Sequence, residues 1–217
     1  MATTIAAHKL GKLPVRTDVR TLRLGRYVDV SKLPQPPATL DLTRDVAEWP
    51  MYANDRIGDC TIAAAAHMIE AWTAAATGAA VEVTESSVLA AFDRVKLVDP
   101  LTGEEGAVEL DVLKDWREHG VDRHRIAAFA RVATYDHLLV RAAAWLFGGL
   151  YIGLALSADC PNTGRVGLDG LALGRRAPRL VGRARSRRRR LRRRGADRDH
   201  VGRDEGAHLV VLGSLRR

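Results

Sequence analysis

The stretch "NDRIGDCTIAAAAH", residues 54–67, places Cys60 where a turn-like segment gives way to an alanine-rich helical pattern. A cysteine in the first turn of a helix feels the positive end of the helix dipole, which favours the thiolate, the attacking species in acyl transfer. A free cysteine is also one of the most buried residue types, so the sulfur alone does not define a nucleophile. Two neighbours add to it: Gly58 permits a tight turn just before the sulfur, and Asn54 carries an amide that can donate to a developing oxyanion. Cys60 and Asn54 are therefore the candidate catalytic residues. No cofactor or metal is called for, because Cys160 is the other cysteine and no CxxC or Cys/His ligand spacing occurs.

A thiol of this kind needs a base within hydrogen-bond reach, as an ion pair or as a general base. His67 lies seven residues along the same helical pattern, roughly 10 Å from Cys60, and reads as a packed or capping side chain. His119 and His124 fall near a helix end and read as solvated. His137 opens the next helix in a capping or surface role, and His200 sits in a charged segment without apolar neighbours. His208, in "EGAHLVVLGS", is the best candidate, since apolar residues follow it as on a strand.

The elements that must position these groups are legible in outline. The stretch from Cys60 to Thr77, with Ile62, Met68, Ile69 and Trp72 among alanines and Gly78 following, predicts a buried helix. A second helix starts after Thr84 and stops before Pro100. A third, "VELDVLKDWREHG", sets Val108, Leu110, Val112, Leu113 and Trp116 near one face and ends at Gly120. Asp136 caps a fourth, "HLLVRAAAWLF", after which the pair Gly148–Gly149 turns into the strand-like "LYIGLAL". Helices come first and strands late, which predicts an α+β domain whose sheet lies mainly in the C-terminal half.

At this level the chain resembles the papain-like cysteine peptidase fold. That family has a glutamine six residues before its nucleophile, a glycine two before it, and a long central helix starting at the cysteine. The region from Leu10 to Leu156, including "WPMYANDRIGDC" and "VLKDWREHG", is similar to a group of bacterial and phage proteins with that fold. The resemblance implies Cys60 as nucleophile, Asn54 in the oxyanion position, Gly58 as the turn glycine, and a peptide or amide as substrate. Three positions depart from the pattern: Asn54 stands for glutamine, Ile57 for a disulfide cysteine, and Thr61 for the tryptophan after the nucleophile. The family's catalytic histidine lies on a strand, followed by a polar orienter before a Trp-Gly pair, and no such pair follows His208.

The chain of 217 residues carries a net charge of +8, but the sum hides two different polymers. Residues 1–166 hold 18 Lys+Arg against 21 Asp+Glu, whereas 167–217 hold 16 Arg, no Lys and 5 acids. No aromatic residue follows Tyr151, and no Ile, Thr, Asn or Cys follows Val166. Such a composition has little with which to build a core. One reading is a basic tail, with 12 arginines in 175–194, that binds nucleic acid non-specifically through phosphates.

A second reading is a shift of the reading frame near Val166. GC-rich coding DNA read out of frame yields many CGN codons, hence arginine without lysine. Joining the second and third letters of plausible codons to the first of the next conceals WGGHA under 181–185, GYDAEG under 190–195, LTVTTWG under 196–202 and KALTWSFWDRYV under 205–217. Together these resemble the family's histidine strand, Trp-Gly motif and closing segment, in order, with the catalytic histidine under Ala184.

The division expected is an extended lead over 1–45, the helical half of a papain-like domain over 46–166, and an Arg-rich, disordered or out-of-frame tail over 167–217. The fold class is α+β with the N-terminal helical half present and the C-terminal sheet half lost. The function expected is that of a thiol hydrolase-type domain, inactive as written because its base is missing. A non-catalytic papain-like binding domain is the further alternative. The start "MATTIAAHKLGKLPVR" lacks the apolar core of a signal peptide, and the longest apolar run, 142–156, falls short of the roughly 20 residues a membrane span needs. A cytoplasmic location without membrane insertion is the corresponding expectation.

Overall fold

The computed structural model describes residues 11–154 with their side chains, and the backbone of 207–212 and 215–216. The chain enters along an extended segment in which Lys12 bridges Ala107 in parallel, with Leu13 N donating to Ala107 O at 3.0 Å. It then forms a short strand β1 (Leu22–Arg23) and two 3-10 turns, and runs irregularly to residue 59. Helix α1 (Cys60–Thr77) follows and stops at Gly78, which adopts the left-handed φ of +80° that a side chain would oppose. Thr84 caps α2 (Glu85–Val95) by accepting from Ser87 N. Strands β2 (Leu97–Val98) and β3 (Glu105–Gly106) pair antiparallel, and α3 (Glu109–Glu118) follows.

Val121 and His124 exchange backbone hydrogen bonds around Asp122 and Arg123, both at positive φ, a two-residue turn of the kind that favours a tight hairpin. It leads into β4 (Arg125–Ile126) and β5 (Phe129–Val132). Asp136 caps α4 (His137–Phe147) by accepting from Leu139 N, and Gly148 and Gly149, at φ +65° and +138°, turn the chain into β6 (Tyr151–Leu154). Strand β7 (Ala207–Leu212) and the short β8 (Leu215–Arg216) complete the described structure.

The four-stranded sheet has the order β1-β5-β7-β6, with β1 parallel to β5 and the remaining pairs antiparallel. Two cores cover it. The larger joins α1, α2 and α3 through Ile62, Ile69, Val88, Phe92, Val112, Leu113 and Trp116, and takes in Tyr151 and Phe129 from the sheet. Alanines 63, 65 and 66 of α1 are buried, so its neighbours can approach closely. The smaller core joins Leu24, Val132, Leu139 and Ala143 beneath α4, with Ile152 against it. Tyr151 and Ile152 thus face opposite layers, as strand alternation requires. Trp72 links the two ends of the helical layer: it stacks on Trp116 at 5.9 Å, and its Nε1 donates to the carbonyls of Phe147 and Gly148 at the end of α4.

The four helices fall where the periodicity and caps put them, and the mixed helix and strand architecture agrees with an α+β class. Two features differ from expectation. Short strands are interleaved among the helices from β1 onward instead of beginning late. A sheet is formed although the sheet half was expected to be lost, because the apolar run Leu209–Leu212 within 167–217 supplies the strand between β5 and β6. On α3 the buried stripe runs through Val108, Glu109, Val112, Leu113 and Trp116, and Leu110 is only half-buried. The buried face therefore takes Glu109 where Leu110 was expected, and with Asp115 it enlists two carboxylates.

Candidate active site

Cys60 is the first residue of α1, half-buried and unpaired with another cysteine. Burial pushes its thiol pKa up, while the backbone amides of Gly11, Lys12 and Thr61 pull the other way by favouring the thiolate, and the neighbouring carboxylate of Asp59 adds to the rise. The entering segment is therefore part of the sulfur's surroundings. It reaches so close because three backbones converge without side chains. A Cβ at Gly11 would overlap the Gly58 carbonyl, one at Gly58 the Glu105 carbonyl, and one at Gly106 the Gly11 carbonyl. Gly58 was expected as a turn glycine. It is not among the residues at positive φ, and the close approach of Gly11 and Glu105 is what requires it.

Asn54 sits in the preceding turn, where its N–H donates to Met51 O at 2.9 Å. Its Oδ1 is enclosed without a hydrogen-bond partner, and its Nδ2 donates to no protein atom among the described residues. The turn is held in an unusual conformation, since Tyr52 and Ala53 have φ of +52° and +68°. Between Asn54 and the sulfur lies Asp59, fully buried, both carboxylate oxygens without a partner and no capping bond to the helix. Burial, followed by the nearby Glu85 and Asp55, pushes its pKa up to about 7.

Near the sulfur, Tyr151 of β6 is buried and donates to the Thr61 carbonyl at 2.9 Å, tying the sheet to the first turn of α1. Burial, then Glu109 and Cys60, raises the Tyr151 hydroxyl well above its ordinary range, so thiol, phenol and carboxylate share one neighbourhood. Glu109 is buried, its pKa raised by that burial against the attraction of Lys12. Its carboxylate and the Lys12 stem fill the space over Gly153 that a side chain there would need. The backbone of β7 pairs His208 directly with Gly153. Sequence reasoning missed Asp59, Glu109 and Lys12. The available signal was the acid that opens α3 between Val108 and Leu110, and another acid beside the cysteine.

The remaining histidines are held elsewhere. His67 Nε2 donates to the Pro50 carbonyl at 2.8 Å and its ring lies against Trp49 and Tyr52, as a packed side chain. His119 donates from Nδ1 to Asp115 at 2.9 Å, and Asp115 also holds Arg94 through two of its nitrogens. His124 departs from its expected solvated role: it is half-buried, with Nδ1 enclosed and unpartnered, because the Asp122–Arg123 turn folds it back. His137 is exposed at the start of α4. No histidine side chain among residues 11–154 acts on the Cys60 thiol. His8, His200, Cys160 and the arginine run 175–194 lie outside the described residues.

Among the described residues no group of three or more His, Cys, Asp or Glu is arranged to hold a metal ion, and no helix is long and apolar enough to cross a membrane. The fold and site together define an α+β chain with a sheltered thiol at the head of the longest described helix. Comparison with known proteins finds no matching family model, no matching curated protein and no matching solved structure.

Proposed function

We propose that Cys60 is the nucleophile of a papain-like thiol hydrolase-type site for peptide or amide acyl transfer, held latent in this chain. The observation that carries the proposal is the position of the sulfur, which heads α1 with backbone amides directed to it, and in the turn before it a side-chain amide that donates to none of the described residues. In the reaction, the thiolate attacks the substrate carbonyl carbon and the carbonyl oxygen takes the charge. The Cys60 backbone N–H and Asn54 Nδ2 donate to that oxygen, the amine leaves with a proton drawn from water, and water then hydrolyses the thioester to release the acyl group and regenerate the thiol. Latency follows from the same surroundings. Burial keeps the thiol protonated, and none of the described side chains is an imidazole able to take the proton.

An activated ester tests the nucleophile without needing a base for the leaving group. At alkaline pH, p-nitrophenyl acetate is expected to leave a thioester on Cys60, absent from Cys60→Ser and formed tenfold or more slowly in Asn54→Ala. Acylation that ignores both substitutions overturns the site assignment. With peptide amides the chain is expected to show no turnover above the Cys60→Ser background. Cys60-dependent amine release overturns the latency. The buried thiol also favours a second reading, a papain-like domain that binds through its groove without catalysis.

A further inference from the structure

A second feature lies on the far side of the 50–59 turn. A cavity of about 490 Å³ is lined by Met51, Tyr52, Asp55, Arg56, Glu70, Glu82 and Glu85, among others. Four carboxylates face it against one cation, and that cation is engaged, since Arg56 is paired with Glu85 at 2.7 Å and Asp55 at 3.7 Å. Acidic residues on a surface are ordinarily solvated and need no ligand. Glu70 is different, because only 4 % of it is exposed. Its Oε1 accepts from the Tyr52 hydroxyl, while its Oε2 is enclosed and has no partner. No Lys, Arg or His among the described residues pairs with Glu70 or Glu82. A buried carboxylate oxygen left open beside a second unpaired carboxylate is a demand for a donor that the chain does not meet.

We infer that this cavity binds a guanidinium group, such as the arginine side chain of a peptide. Metal ions are a poor alternative, because no group of three or more ligating side chains is arranged around one among the described residues. A guanidinium is weakly hydrated and carries five donors in a planar fork, so one edge can donate to the Glu70 carboxylate while another edge reaches Glu82. The left-handed Tyr52 and Ala53 shape the wall from which the Tyr52 hydroxyl donates to the first Glu70 oxygen, so the second is the one left without a partner. The site needs no chemistry at Cys60.

Binding measured by calorimetry on the full chain at pH 7.5 and fixed ionic strength tests the inference, with N-acetyl-arginine amide, its lysine and norleucine counterparts, and methylguanidinium as probes. Arginine amide is expected to bind saturably, at least tenfold tighter than norleucine amide and tighter than lysine amide. Methylguanidinium is expected to compete, showing that the side-chain group is what is recognised. Glu82→Gln, on an exposed side chain that folding does not need, is expected to weaken binding about threefold or more, and a folded Glu70→Gln about tenfold or more. Arginine amide binding no tighter than norleucine or lysine amide overturns the inference. So does undiminished binding by Glu82→Gln, whether or not Glu70→Gln folds. Because the readout is binding, its failure leaves the acyl-transfer reading untouched, and failure of that reading leaves this one intact.

Discussion

Asp59 sets the pH behaviour at the residue scale. Its carboxyl is raised from 3.8 to about 7 by burial, so the folded state holds a proton that the unfolded chain releases. The stabilisation this gives is fully present below pH 3.8 and is lost as pH rises through about 7. Its size is on the order of 2–4 kcal/mol. Urea unfolding should therefore show the wild type losing stability between pH 5 and pH 8, and Asp59→Asn losing distinctly less. Some slope should remain, because burial raises Glu70 and Glu109 in the same direction. An unchanged slope in Asp59→Asn would show that another group binds the proton. At this scale Cys60 and Asn54 were legible because sulfur and amide chemistry is local to the residue type. Asp59 and Glu109 were not, since a carboxylate at a helix start reads as a solvent-facing cap, and only the tertiary cover of residues 11–13 and the sheet makes it buried.

The elements show the same division between local and long-range information. Helices α1, α2 and α4 were legible from their caps and closing glycines, because Thr84, Asp136, Gly78 and Gly148 act within a few residues of the helix they bound. The role of Gly58 was not legible, because the backbones that crowd it belong to residues 11 and 105. Glycine substitutions separate the two cases. Gly78→Ala has open space and only the positive φ to oppose it, and should cost about 1 kcal/mol. Gly58→Ala must part the entering segment from β3 and should cost about 3 kcal/mol or more, while making Cys60 more accessible. Equal costs in a denaturation experiment would contradict the three-backbone contact. Tyr151→Phe removes the bond to the Thr61 carbonyl and should cost about 1 kcal/mol, with faster amide exchange in the first turn of α1.

For the molecule as a whole, the break in composition near Val166 was plain in the sequence, and the strand at 207–212 beyond it was hinted at only by the apolar residues after His208. Its place between β5 and β6 depends on pairing with residues more than fifty positions away, which no local pattern carries. The arginine run makes a prediction of its own: the chain should bind nucleic acid without sequence preference, with affinity falling steeply as salt rises. Salt-independent or sequence-selective binding would contradict that. The frame-shift reading is checked on the source DNA from about codon 155 to beyond the stop. A net one-base correction near Val166 should open a continuous frame encoding WGGHA and a Trp-Gly pair. If no coherent frame lies beneath the tail, the basic segment stands as a feature of this protein.

The most direct test of the account is the rate at which Cys60 reacts with iodoacetamide as a function of pH, read by peptide mapping so that Cys160 is scored separately. A sheltered thiol with its pKa raised by burial and no imidazole partner among the described side chains should react more slowly than free cysteine at pH 7, and its rate should climb only at alkaline pH. Labelling of Cys60 far faster than free cysteine, with a plateau reached below neutral pH, would show an activated thiolate and contradict the account.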